Sequence, residues 1–340
     1  MGLSFHRSLK RRPHAVQTGA VVSVVVAVAA LTGCASAASA PIDAPTETRA
    51  SVVDNCGTDV AITADAPERI VTIKSTSTEL LLALGLGERI VGSAFQDGPV
   101  PDAWADASSE IPIISDFAPG QEAVLELEPD FVFAGWESMF TAEAAGERES
   151  LQALGIGSYV APSACKDPAY KPEKLSFDEV FDEILEAGSV FHADDAATEL
   201  VSEQRDALEE IPTDDRGLTA LWYSSGTDIP YVGAGIGAPQ MMMERLGLGN
   251  VAGDVDDTWS SLGWEAIVDA DPDVIVLVDA SWNSADSKIE ILRANPATAA
   301  LDAVRESRYL IVPFAAGEAG VRNVSATADL ADQLAALELD

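Results

Sequence analysis

Two stretches of the chain alternate apolar and polar positions in the same way. Glu122-Ala-Val-Leu-Glu-Leu-Glu-Pro129-Asp130-Phe-Val-Phe and Glu265-Ala-Ile-Val-Asp-Ala-Asp-Pro272-Asp273-Val-Ile-Val each open amphipathic, break at Pro-Asp and run into an apolar stretch. Proline cannot continue a helix and pushes its predecessor out of the helical region, so each copy predicts short helix, break, buried strand. Around the first copy, Arg69–Lys74, Ile90–Gly92 and Ile111–Ile114 read as strands. Ser75–Glu79 supplies N-cap hydroxyls to an apolar helix ending at Gly85. Around the second copy, Gly217–Tyr223 and Tyr231–Gly233 read as strands.

Three patterns recur in the same order. Leu84-Gly-Leu-Gly87 is answered by Leu246-Gly-Leu-Gly249, Glu122 by Glu265, and the segment from Leu151 by that from Leu301, at offsets of 162, 143 and 150 residues. Between the halves, Phe177, Val180, Phe181, Ile184, Leu185, Ala187 and Val190 hold helical spacing, and Ser176 with Glu179 fits a capping box. Helical character resumes through Leu200, Val201 and Leu208 until Pro212, which predicts one long connecting helix. The expected fold class is α/β: two Rossmann-like βα lobes, each a parallel sheet covered by helices, joined by that helix. The expected boundaries are 1–33 for a leader, 34–54 for a tether, 55–175 for the N-terminal lobe, 176–211 for the linking segment and 212–340 for the C-terminal lobe.

The leader changes the picture from fold to compartment. Arg7, Lys10, Arg11 and Arg12 precede an apolar run from Ala20 to Leu31, too short to span a membrane and suited to a secretory signal. Leu31-Thr32-Gly33-Cys34 resembles a bacterial lipobox, in which Cys34 becomes the lipidated first residue; the plainer alternative is an ordinary signal peptide. The Ala-, Ser-, Thr- and Pro-rich stretch from Ala35 to Arg49 then reads as a flexible tether. Of three cysteines, Cys56 and Cys165 remain, and an even pair outside the cell is most simply a disulfide. The leader holds four basic and no acidic side chains, leaving 16 basic against 56 acidic, a net of −40. That charge argues against nucleic acid or anionic lipid as an electrostatic partner.

Catalytic and metal chemistry is poorly supplied. His192 is the single histidine after the leader, which excludes a multi-histidine metal site, and its place at the end of the expected linking helix argues against a serine or cysteine triad. Gly233-Ala-Gly-Ile-Gly237 lacks dinucleotide spacing, and no Walker-type loop occurs, so no cofactor is implied. What gathers near predicted strand ends is aromatic and polar: Ser75, Thr76, Phe95, Trp136, Trp222, Tyr223, Ser224, Tyr231, Trp259, Trp282 and Phe314. Open α/β sheets bind ligands beyond the carboxyl ends of their strands, so these residues predict an aromatic-lined cleft, with core packing as the alternative for any one of them. Arg322, one of few cations in the second half, either meets an anionic group or pairs with an acid.

The lipobox, the two lobes and the repeated Glu-Ala…Pro-Asp pattern together resemble solute-binding lipoproteins of ABC importers for iron-siderophores, haem and vitamin B12. That resemblance implies the class III periplasmic-binding-protein fold, no enzymatic activity and a monomer lipid-anchored outside the membrane. It also implies docking onto a permease and its ATPase through one glutamate per lobe, here Glu122 and Glu265; a favourable first-turn acid is the alternative for each. Thr72–Glu79, Ala134–Ser138, Ala220–Gly226, Tyr231–Gln240 and Glu318–Asn323 are most similar to an actinobacterial subgroup for import of a deazaflavin precursor of the coenzyme F-420 type. A siderophore complex, haem or a corrinoid also fits an aromatic cleft. An extracellular carboxylate enzyme and a structural surface lipoprotein are the alternatives from other classes.

Overall fold

A computed structural model describes residues 51–170 and 173–338. The expected leader, Cys34 and residues 34–50 of the expected tether lie outside that range. Residues 51–54, assigned to the tether, belong instead to a hairpin of β1 (Ser51–Asn55) and β2 (Thr58–Ile62). Asp54 Oδ1 accepts the Gly57 N–H at 2.9 Å to close its turn.

The N-terminal lobe is a wholly parallel sheet in the order β5-β4-β3-β6-β7. Its strands are β3 (Ile70–Ile73), β4 (Ile90–Ala94), β5 (Ile113–Ser115), β6 (Phe131–Ala134) and β7 (Gly157–Val160). Helices α1 (Ser75–Ala83), α2 (Ala105–Ser109), α3 (Gln121–Leu125) and α4 (Arg148–Ala153) connect them. All four residues of β3 and of β6 are buried, as a sheet covered on both faces requires. Helix α1 begins at Ser75 itself, so the hydroxyl residues form its first turn rather than a cap. Ser77 Oγ and Thr78 Oγ1 donate back to the Lys74 carbonyl, at 3.0 and 3.2 Å.

The linking segment is two helices, α5 (Phe177–Val190) and α6 (Asp194–Glu210), where the sequence predicts one. The capping box at Ser176 and Glu179 forms as expected. The break falls where Phe191, fully buried, seats against Phe131, Phe133 and Tyr159. Arg89 Nη1 caps the Phe191 carbonyl at 2.9 Å, and His192 turns left-handed at φ 56°. At the crossing a Cβ on Gly188 would stand 2.4 Å from that of Ala197, so the close approach needs glycine.

The C-terminal lobe holds β8 (Thr219–Ser225), β9 (Tyr231–Gly233), β10 (Gly249–Asn250), β11 (Trp259–Ser261), β12 (Val274–Asp279) and β13 (Tyr309–Pro313). Its helices are α7 (Ala238–Leu246), α8 (Trp264–Ala270), α9 (Ala285–Ala294), α10 (Asp302–Arg305) and α11 (Asn323–Ala336). The sheet runs β11-β9-β8-β12-β13 with β10 on β8. Its β8, β12 and β13 are parallel, but β9 and β11 are antiparallel, a ribbon the sequence reading left out. One apolar core runs from Phe133 and Tyr159 of the first sheet through Phe181, Ile184 and Val201 of the linking helices to Trp222 and Val276 of the second.

Candidate functional site

A cleft of about 600 Å³ lies where the carboxyl ends of the two sheets face each other. The first lobe lines it with Thr76, Gly135, Trp136 and the Ser163–Lys166 turn; the second with Ser224, Ser225, Tyr231, Thr258, Trp259, Trp282, Phe314 and Glu318. Cys165 joins Cys56 in a disulfide with Cα atoms 5.3 Å apart, which holds that turn to the β1–β2 hairpin. Strand ends converge tightly here: a Cβ on Gly135 would fall 2.3 Å from Thr76 Oγ1 and 2.9 Å from Lys74 Cβ.

Aromatic rings are placed in pairs. Tyr231 and Trp259 stack at 6.0 Å and 15° across the β9–β11 ribbon. Gly233 sits opposite Trp259 in that register, where a Cβ would fall 2.4 Å from that of Pro239, and Tyr231 is the diagonal neighbour that the Trp259 ring meets. Trp282 meets Phe314 edge-on at 5.7 Å. Its loop is pinned from below by fully buried Lys288, whose Nζ donates to the carbonyls of Val278 and Asn283 at 2.7 and 2.6 Å. Burial pushes the Lys288 amine down to about 8.

Of the sequence-predicted ligand residues, Thr76, Trp136, Ser224, Tyr231, Trp259, Trp282 and Phe314 line the cleft. The other five stand apart from its lining. Phe95 packs edge-on behind Trp136 at 5.7 Å. Ser75 is buried, and its Oγ accepts the Asp97 N–H at 2.8 Å. Adjacent strand residues point to opposite faces, so Trp222 and Tyr223 divide: Trp222 goes to the shared core and Tyr223 to the far face, its hydroxyl donating to Gly226 O at 2.6 Å. Arg322 spans the lobes and pairs with Glu79 through Nε at 2.5 Å and through Nη2, which also donates to Pro99 O.

Polar groups at the cleft floor are charged and mostly paired. Lys74, at φ 84° a costly conformation for a residue with a Cβ, sends its ammonium to Asp97. That ammonium also lies 4.4, 3.8 and 5.1 Å from the ring centroids of Phe95, Trp136 and Phe314. Glu318, missed by the sequence reading, accepts the Trp136 indole N–H through Oε2 across the two lobes. Burial raises its carboxyl above the ordinary range, against the opposing pull of Lys74 and the Trp136 bond. Among the described residues no group of three His, Cys, Asp or Glu side chains is placed to hold a metal, and no helix is long and apolar enough to cross a membrane.

Glu122 and Glu265 stand in the first turns of α3 and α8, both exposed and away from the cleft lining. The two Pro-Asp pairs end at matched positions. Asp130 accepts the Glu68 and Arg69 N–H groups at 2.9 and 3.0 Å, and Asp273 accepts the Thr219 N–H and hydroxyl at 2.8 and 2.9 Å.

The family model described as "Periplasmic binding protein" matches residues 70–316. An uncharacterized ABC transporter substrate-binding lipoprotein of Bacillus subtilis, YvrC, is 24% identical over 329 residues, covering 94% of this chain and 97% of its own. A cobalamin-binding protein of Halobacterium salinarum is 28% identical over 240 residues, 66% of this chain and 58% of that relative. The crystal structure of a periplasmic binding protein from Veillonella parvula superposes with a TM-score of 0.74 at 25% identity, covering 85% of this chain and 98% of that one.

Proposed function

The chain belongs to the periplasmic binding protein family, and from that premise we propose that it captures a flat conjugated solute between its lobes and delivers it to an ABC permease. The observation that carries this reading is the aromatic-walled cleft at the carboxyl ends of both sheets. Lipidation at Cys34 would hold the receptor at the outer face of the membrane. Glu122 and Glu265 would seat it on the permease, one from each lobe, since each is an exposed first-turn acid at the same position of a repeated motif. The best candidate solute is a deazaflavin precursor of the coenzyme F-420 type. The Tyr231–Trp259 stack offers a face for a tricyclic ring, while Thr76, Ser224, Ser225 and Thr258 offer hydroxyls for a polyol tail. A corrinoid is the second reading, favoured by the cobalamin-binding relative. Ferric siderophores and haem complete the range to be tested.

The test is a titration of the lipid-free chain with 5-deazariboflavin, hydroxocobalamin, haem and ferrioxamine B, followed by tryptophan fluorescence and thermal shift. Rings placed against Trp136, Trp259 and Trp282 would quench their emission. A bound solute at a hundredfold excess over its Kd raises Tm by about 5 °C. Absence of both signals with all four probes would defeat the proposal.

A further inference from the structure

The charges around the cleft determine what kind of solute can enter it. Two cations could have met an anionic ligand, and both are already spent inside the protein. Arg322 gives its guanidinium to Glu79, which is 1% exposed, and to the Pro99 carbonyl. The Lys74 ammonium is consumed by Asp97 and enclosed by three rings. Among the lining residues Lys166 remains, and it is exposed, so solvent screens its charge.

One carboxylate is in the opposite condition. Glu318 lines the cleft, and Trp136 satisfies only its Oε2; no hydrogen bond to Oε1 is made among the described residues. An ionised carboxylate offers about four acceptor sites, so a half-buried one with a single donor is an incomplete set. Glu318 is half-buried and lines the cleft, so its Oε1 is open to a donor that a solute carries.

We infer that Glu318 is the specificity-determining contact of the cleft: it takes solutes that present an N–H or O–H donor, or a positive charge, to its free oxygen, and turns away those that bring an anion there. The inference rests on the reading of the cleft as a solute site and narrows its ligand. For a deazaflavin, the donor is the imide N–H of the pyrimidinedione edge, and the form recognised is the uncharged polyol precursor rather than a phosphodiester-bearing derivative.

The experiment titrates wild type, Glu318→Gln and Glu318→Ala with 5-deazariboflavin and with its N3-methyl derivative, which keeps the ring and polyol but lacks the donor. Wild type is expected to bind the N–H form about 10- to 100-fold more tightly, the range of one hydrogen bond to a charged group. Glu318→Ala should abolish that preference, lowering affinity for the N–H form more than for the N-methyl form. Glu318→Gln preserves the shape and the Trp136 acceptor, so it separates loss of charge from loss of packing; its preference should fall between the two. Equal binding of both compounds by wild type, or an equal loss of both in Glu318→Ala, overturns the inference and leaves the solute reading intact. Binding of neither compound by wild type overturns the deazaflavin reading and the inference with it.

Discussion

The two lobes solve the same problem at the base of their sheets and different problems at the top. At the base, Glu128 and Asp271, the residues before the two prolines, both adopt left-handed backbone, at φ 46° and 45°. The aspartate that follows each proline then bonds the entry to the strand alongside: Asp130 ties down β3, and Asp273 ties down β8. At the top the lobes diverge. The first sheet is parallel throughout and presents its rings from strand ends, with Lys74 and Phe95 bent to φ 84° and 52°. The second turns its edge antiparallel and sets Tyr231 and Trp259 on a ribbon. A disulfide closes the first lobe, whereas among the described residues none closes the second. The shared part is architecture and the divergent part lines the cleft, so changes at matched positions should act alike and changes at the tops should not.

The largest effect is expected at the matched glutamates. Glu122→Ala with Glu265→Ala should abolish solute uptake by cells while leaving the affinity and Tm of the isolated protein unchanged, because both side chains are exposed and remote from the cleft. Each single variant should retain part of the uptake if the lobes contribute symmetrically. Radiolabelled or fluorescent solute accumulation measures this, and normal uptake by the double variant would remove docking from these positions.

Next comes the asymmetry of the disulfide. Cys56→Ser with Cys165→Ser opens a loop of 109 residues and should cost about 3–5 kcal/mol, mostly by freeing the unfolded chain. In a chain of this size that corresponds to a Tm lower by about 10 °C. Hydrogen exchange should quicken in β1, β2 and the Ser163–Lys166 turn but not in β8 or β12. Loosening of both lobes to the same degree would mean that the shared core, not the hairpin, carries the bond's effect.

Legibility followed the same division. The repeated base was readable because proline, aspartate and β-branched runs act locally, and the Ser176–Glu179 box and the Cys56–Cys165 pairing were equally plain. The tops were less so. Trp259-Ser-Ser261 is too short to show a strand's alternation, so the antiparallel ribbon had no signal. Arg322 was visible as a cation, but its partner Glu79 lies 243 residues away. Glu318 could not be singled out in a chain with 56 acids. The period of two along β8 already separated Trp222 from Tyr223, so at most one of them could face a common site. The break at His192 carries neither glycine nor proline; it is imposed by Phe191 entering the aromatic core and by Arg89 taking its carbonyl.

The smallest effects test how alike the two bases are. Asp130→Ala and Asp273→Ala each strand two donors that a carboxylate now satisfies, at a cost of about 1–3 kcal/mol. The costs should differ in a definite order. Asp130 is exposed, so water can reach the Glu68 and Arg69 N–H groups once the carboxylate is gone. Asp273 is half-buried, and its removal leaves both the Thr219 N–H and hydroxyl without their acceptor. Urea midpoints at constant m should therefore fall further for Asp273→Ala than for Asp130→Ala. Asparagine, which keeps one acceptor oxygen, should restore part of the loss at each site. A larger cost at Asp130 would mean that the first base depends on its aspartate for more than these two bonds, and the equivalence of the two motifs would end at their backbone.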